Sequence, residues 1–310
     1  MPVVTVPETG FILPAYRSPA SAGRSAVPHG ATAFLGLTYG MPPGYRELGI
    51  DVYVPSERSG PVPCVIWIHG GAWLTGHRGY FPDLWPHDIV LSTLIERGYA
   101  VATIDYRHAR EASFPAQLHD AKAAVRYLRH FADEFGIDEN RIAAWGESAG
   151  GHLAALLGLV DGRPDLEGTI GVPGADSGVA AVVDWYGVSD VTTMPKLGEA
   201  FAQDGADPGA PTEEPIDIAL SGVVDRIAAE FDFSPVNHAS IVAPPFLIAH
   251  GEDDGLVPFS QGEQLRDRLL AVGAPVIFRA VPGADHVWIG VDMQPLVTEA
   301  VDFLDSVLRR

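Results

Sequence analysis

Short apolar runs alternate with helical-period segments along most of this chain, and that rhythm limits the fold more than any other feature. The runs fall at 62–68, 99–104, 141–145, 179–185, 245–250 and 275–281. Several are rich in Val and Ile, with Gly or Pro at their ends, as in strands covered on both faces. Residues 49–53 alternate apolar and polar instead, which predicts a half-exposed antiparallel strand. Helical patterns occupy 115–135, 149–159, 260–272 and 294–309. In the first of these, Leu118, Ala121, Val125, Leu128 and Phe131 recur at three- and four-residue steps. The last ends in Arg309-Arg310, cations that complement the helix dipole. Strand and helix in alternation predict an α/β fold: a mainly parallel central sheet with helices on both faces.

With 310 residues, 47% of them hydrophobic, the chain can bury a large core. One domain over 31–310 is expected, preceded by an extended arm at 1–30 that is rich in Pro, Ala, Ser and Gly. Phe11, Ile12 and Leu13 are its candidates for docking on the body. The rhythm weakens at about 161–234, which is dense in Gly, Pro and Asp with one helical piece near 216–230. This stretch reads as an insertion above the sheet. Trp185, Tyr186, Phe201, Phe231 and Phe233 argue that parts of it pack, as a partial lid would.

The net charge is −20, and only Lys122 and Lys196 are lysines. Such a surface repels phosphate backbones and anionic membranes, so nucleic acid is not an expected partner. The single cysteine, Cys64, excludes an internal disulfide and a multi-cysteine metal site. It lies in an apolar run and reads as a core residue. Residues 1–16 lack the basic start and apolar stretch of a signal peptide, and no run of about 18 apolar residues predicts a membrane span. The expected location is cytoplasmic, and a homo-oligomer is left open.

The chemistry is concentrated in two Gly-rich segments. Gly146-Glu147-Ser148-Ala149-Gly150 matches G-x-S-x-G, a pattern that chance supplies roughly 0.2 times in a chain of this composition. Its setting is more specific, because the apolar run 141–145 precedes it and the helical stretch 149–159 follows. A strand-to-helix turn this sharp holds a nucleophile in strained backbone geometry and leaves no room for side chains at Gly146 and Gly150. Ser148 is thereby presented at a helix N-terminus, where developing negative charge is favoured. The second segment, His69-Gly70-Gly71-Ala72-Trp73, follows the strand 62–68. Acyl transfer needs backbone N–H donors about 3 Å from an oxyanion. Gly70, Gly71 and Ala72, joined by Ala149, are the candidate donors. His69 reads as a brace for the loop rather than a base. Trp73, Glu147, Trp185 and Tyr186 are the candidate lining of the substrate pocket.

A nucleophilic serine needs a base, and the base needs an orienting carboxylate; both are sought downstream of Ser148, the acid before the base. Four histidines follow Ser148: His152, His238, His250 and His286. Only His286 sits in a loop between a late strand and the last helix, the place for a mobile base. His152 and His250 read as structural. Glu252, Asp253 and Asp254 all follow the strand 245–250 and compete for the acid. Asp285 ranks below them, because neighbours in sequence point their side chains apart. No HExxH, His/Cys cluster, calcium-loop spacing or strand-linked GxGxxG occurs, so neither a metal nor a dinucleotide cofactor is expected.

These residues occur in order with Asp105-Tyr106-Arg107, Phe114-Pro115-Ala116-Gln117, Ser234-Pro235-Val236 and Val257-Pro258. Over roughly 45–308 the set resembles the carboxylesterase/lipase group that includes hormone-sensitive-lipase-like esterases, and is closest to the bacterial feruloyl and acetyl-xylan esterase-like branch. The resemblance implies the α/β-hydrolase fold with a lid-like insertion. It implies a triad of Ser148, Asp254 and His286, Asp254 standing three residues before Val257-Pro258. It also implies oxyanion donors at Gly70, Gly71, Ala72 and Ala149. Two departures stand out: Ala72 replaces the third Gly of the common H-G-G-G form, and Asp105-Tyr106-Arg107 lacks the usual Leu-Ala-Pro-Glu after it. The expected activity is hydrolysis of short-chain or aryl carboxylic esters. Amide, peptide or aryl-formamide hydrolysis by the same triad is the alternative, and a non-catalytic binding module on this fold is another.

Overall fold

A computed structural model describes residues 24–27, 30–86, 88–196 and 214–309. Among the described residues nine strands form one sheet: β1 Arg24–Val27, β2 Ala31–Gly40, β3 Leu48–Pro55, β4 Val62–Ile68, β5 Ala100–Ile104, β6 Ile137–Glu147, β7 Val182–Trp185, β8 Phe246–Gly251 and β9 Val276–Val281. Their spatial order is β1-β2-β3-β5-β4-β6-β7-β8-β9. The pairs from β1 through β3 to β5 are antiparallel, and those from β5 through to β9 are parallel. Strand order reverses beside β4, and a crevice opens there beyond the carboxyl ends of the parallel strands.

Each parallel strand feeds two cores, because successive side chains point to opposite faces. In β4, Cys64, Ile66 and Ile68 pack with helices Ala116–His130, Ala149–Leu159 and Ser260–Ala271, while Val65 and Trp67 face helices Ile89–Glu96 and Gln294–Leu308. Cys64 is buried, and its burial pushes the thiol up to about 12, as expected of an inert core residue. The second face holds a cluster of indoles: Trp67 packs on Trp85 and Trp145, and Trp185 on Trp85, Trp145 and Trp288.

Four expectations change. The stretch 161–234 is not one insertion, because β7 runs through it as a central strand and leaves excursions on either side. The helical piece near 216–230 is two helices, Pro215–Ala219 and Arg226–Asp232. The pattern at 115–135 likewise breaks at Phe131, giving Ala116–His130 and Ala132–Phe135. Of the arm, Phe11, Ile12 and Leu13 lie outside the described residues, as does Phe201; Arg24–Val27 is already the edge strand β1. Among the described residues no helix is long and apolar enough to cross a membrane.

Candidate active site

The turn from β6 into helix Ala149–Leu159 is the tightest feature of the site. Ser148 has φ 53° and ψ −121°, a conformation that costs about 1–3 kcal/mol and persists only when its surroundings enforce it. The glycines make it feasible. A Cβ on Gly146 would lie 2.2 Å from the Gly150 carbonyl oxygen, and one on Gly150 would lie 2.0 Å from that of Ile68. The Ser148 amide donates to the Trp185 carbonyl at 2.9 Å, fastening the turn to β7. Gly151 is equally constrained, since a Cβ there would meet Asp184 Oδ1 at 2.4 Å. The G-x-S-x-G pattern gave no signal for that requirement.

His286 lies in the loop between β9 and the last helix, with Nε2 3.1 Å from Ser148 Oγ and Nδ1 2.8 Å from Asp254 Oδ2. A carboxylate beside Nδ1 fixes the proton there and leaves Nε2 to accept from the hydroxyl. The other oxygen, Asp254 Oδ1, accepts the amides of Leu256 at 2.9 Å and Val257 at 2.8 Å. Burial favours the neutral acid, but the neighbouring imidazoles of His250, whose Nε2 is 3.5 Å from Oδ2, and of His286 outweigh it and hold Asp254 far below the ordinary carboxylate range. Of the three competing acids only Asp254 is buried; Glu252 and Asp253 are exposed. Asp285 is a brace, its Oδ1 accepting the amides of Gly255 at 2.9 Å and His286 at 2.6 Å and so joining the acid loop to the base loop.

The remaining downstream histidines hold backbone. His152 Nε2 donates to the Phe233 carbonyl at 2.7 Å, His238 Nε2 to that of Asp232 at 3.1 Å, and His250 Nε2 to that of Val257 at 2.9 Å. His69 braces its loop as expected. Its Nδ1 donates to the Gly70 carbonyl at 2.7 Å, and its ring stacks on Tyr106 at 4.3 Å. Burial pushes His69 and His152 down to about 4, so both are neutral at pH 7.

The loop after β4 turns through Gly71 at φ 103°, Ala72 at 54° and Trp73 at 59°. Among the described residues, the amides of Gly71, Ala72 and Ala149 make no hydrogen bond. Gly70 is different, and its expected role as an oxyanion donor is corrected. Its amide donates to Glu147 Oε1 at 2.6 Å, leaving no proton for a substrate. Glu147 is likewise not a pocket residue, since it lies buried beneath this loop. Burial pushes its carboxyl up to about 6, against the opposing pull of His286 and the Gly70 amide.

The cavity beside Ser148 is lined mainly by apolar residues, Trp73, Val188, Met194, Pro215, Ile216 and Leu256 among them, together with Ala72, Ala149 and the acidic Glu214. Trp73 therefore stands where the sequence put it. Trp185 and Tyr186 do not. Trp185 points into the indole cluster on the other face of the sheet. Tyr186 is buried with its ring 4.8 Å from that of His286, so it backs the base rather than lining the cavity. The apolar wall drawn from Val188, Met194, Pro215 and Ile216 was not identified from sequence, because those residues lie in loops without periodicity.

A family model, BD-FAE, matches residues 50–269. Esterase LipC of Mycobacterium tuberculosis is 35% identical over 231 residues, covering 73% of this chain and 53% of that protein. The probable carboxylic ester hydrolase LipM of the same organism is 34% identical over 235 residues, covering 75% of this chain and 51% of its own length. The chain thus spans about half the length of these curated relatives. Among solved structures, a truncated carbohydrate esterase from gut microbiota superposes with a TM-score of 0.76 at 27% identity, covering 93% of this chain and 100% of that one. The chain belongs to the BD-FAE family and has the α/β-hydrolase fold.

Proposed function

We propose that the chain hydrolyses carboxylic esters through an acyl-enzyme on Ser148. The observation that carries this reading is the continuous contact from Ser148 Oγ to His286 at 3.1 Å and on to Asp254 at 2.8 Å, beside unengaged backbone amides. His286 Nε2 takes the Ser148 proton as Oγ attacks the ester carbonyl, and Asp254 steadies the imidazolium. The amides of Gly71, Ala72 and Ala149 receive the oxyanion. The C–O bond to the alcohol then breaks, and His286 returns its proton to the leaving oxygen. Water, deprotonated by His286, attacks the acyl carbonyl and releases the acid and Ser148.

The apolar lining of the cavity supports a short-chain or aryl acyl group. Helices Pro215–Ala219 and Arg226–Asp232 act as a partial lid in this reading, with Pro215 and Ile216 closing one wall. Ser148→Ala should cut turnover of a p-nitrophenyl ester by about 10⁴–10⁶. Retained turnover would remove Ser148 from the mechanism. Matched ester and anilide substrates separate ester from amide hydrolysis, the reading favouring the ester in kcat/KM.

A further inference from the structure

Among the buried acids that the mechanism above leaves unused, Glu147 lies against both the oxyanion loop and the base. On one side its Oε1 accepts the Gly70 amide at 2.6 Å, and the fit is close enough that a Cβ on Gly70 would lie 2.2 Å from that oxygen. On the other side its carboxylate interacts with the Tyr186 hydroxyl, which faces it without reaching full hydrogen-bond geometry, and Tyr186 packs its ring on the His286 imidazole. The ionisable groups facing Glu147 come from four segments: Tyr80 from the oxyanion loop's continuation, Tyr106 from the loop after β5, Tyr186 from the end of β7 and His286 from the base loop. His286 alone among them becomes cationic during acyl transfer.

We infer that Glu147 is a positioning residue with two effects: it fixes Gly71 and Ala72 through the Gly70 amide, and as a carboxylate it supports the positive charge that His286 acquires in the transition state. The inference rests on the acyl-enzyme reading of Ser148. It explains why Gly70 is closed to substrate. Its amide anchors the loop, so the next two amides need no reorganisation when charge develops. It also gives His286 a second carboxylate, reached across Tyr186 rather than through a direct bond. Burial brings the Glu147 carboxyl up to about 6, so it loses its charge on modest acidification. Acid then removes activity twice, by protonating the base and by neutralising its support.

The test is the acid limb of the kcat/KM profile for Glu147→Gln and Glu147→Asp, with p-nitrophenyl acetate as substrate. Wild type should fall with a slope approaching two protons. Glu147→Gln keeps an acceptor for Gly70 but carries no charge. It should lose about tenfold to a hundredfold in kcat, with KM little changed, and fall with a slope of one. Glu147→Asp should also be slower but keep the steeper limb, and it carries the test if the glutamine variant does not fold. A Glu147→Gln enzyme with wild-type kcat, or with the wild-type slope, overturns the inference. Wild type that is inert on esters and unlabelled by a fluorophosphonate instead overturns the reading on which it rests.

Discussion

Trp73 Nε1 donates to His152 Nδ1 at 3.2 Å, so a residue of the oxyanion loop is held by the helix that begins at the nucleophile. The same imidazole donates from Nε2 to the Phe233 carbonyl at 2.7 Å, and the Phe233 ring lies 5.1 Å from that of Trp73. One neutral histidine therefore joins oxyanion loop, elbow helix and the end of helix Arg226–Asp232. His152→Ala leaves the Trp73 indole N–H and the Phe233 carbonyl buried without a partner and opens a cavity. Its stability should fall by about 2–4 kcal/mol, read as a lower denaturant midpoint at unchanged m-value. About a tenfold loss in kcat/KM should accompany it as the loop loosens.

Trp73 walls the cavity that receives the acyl group in the proposed mechanism. Trp73→Ala should move the preferred acyl chain from acetate and butyrate toward longer chains. A panel of p-nitrophenyl esters differing only in chain length checks this, and an unchanged ranking would place the acyl group elsewhere.

Asp254 is held ionised by its neighbours, against the effect of burial. Asp254→Asn should lower kcat by about 10⁴, because the base loses its tautomer and its counter-charge. The sign for stability follows from the depressed folded value. The stabilisation is present above the unfolded aspartate value of about 3.9 and is lost as pH falls toward the folded one. Unfolding free energy of wild type should therefore decline below about pH 4 more steeply than that of Asp254→Asn.

Gly150→Ala tests the backbone argument at the elbow. The added methyl carbon would sit 2.0 Å from the Ile68 carbonyl oxygen, a contact that only backbone displacement relieves. The variant should lose at least about 3 kcal/mol of stability, measured by chemical denaturation, and its nucleophile should be out of register in whatever folded fraction remains.

Much of the architecture was legible because the parallel strands are covered on both faces and interrupted by Gly or Pro. β4 and β8 lie within a residue of where the apolar runs 62–68 and 245–250 put them. β2, Ala31–Gly40, was not, since bulges between Phe34 and Leu37 and between Thr38 and Gly40 break the two-residue period. Helix Ile89–Glu96 was also missed: only eight residues long, its sequence Ile-Val-Leu-Ser-Thr-Leu-Ile-Glu reads as one more apolar run. At the site, sequence order located Ser148 and His286, whose strand and loop contexts are local. Residue order alone left Glu252, Asp253 and Asp254 open, because that choice depends on which carboxylate turns inward; the resemblance chose Asp254 by its distance from Val257-Pro258. Nor could residue order separate Gly70 from Gly71, because what distinguishes them is a carboxylate 77 positions away in sequence.

Active-site titration with a fluorophosphonate, followed by mapping of the adduct by mass spectrometry, asks whether Ser148 is the nucleophile. One equivalent should bind per folded chain, on Ser148, and none on Ser148→Ala. Folded wild-type protein that takes up no label, or carries it on another serine, would contradict that role.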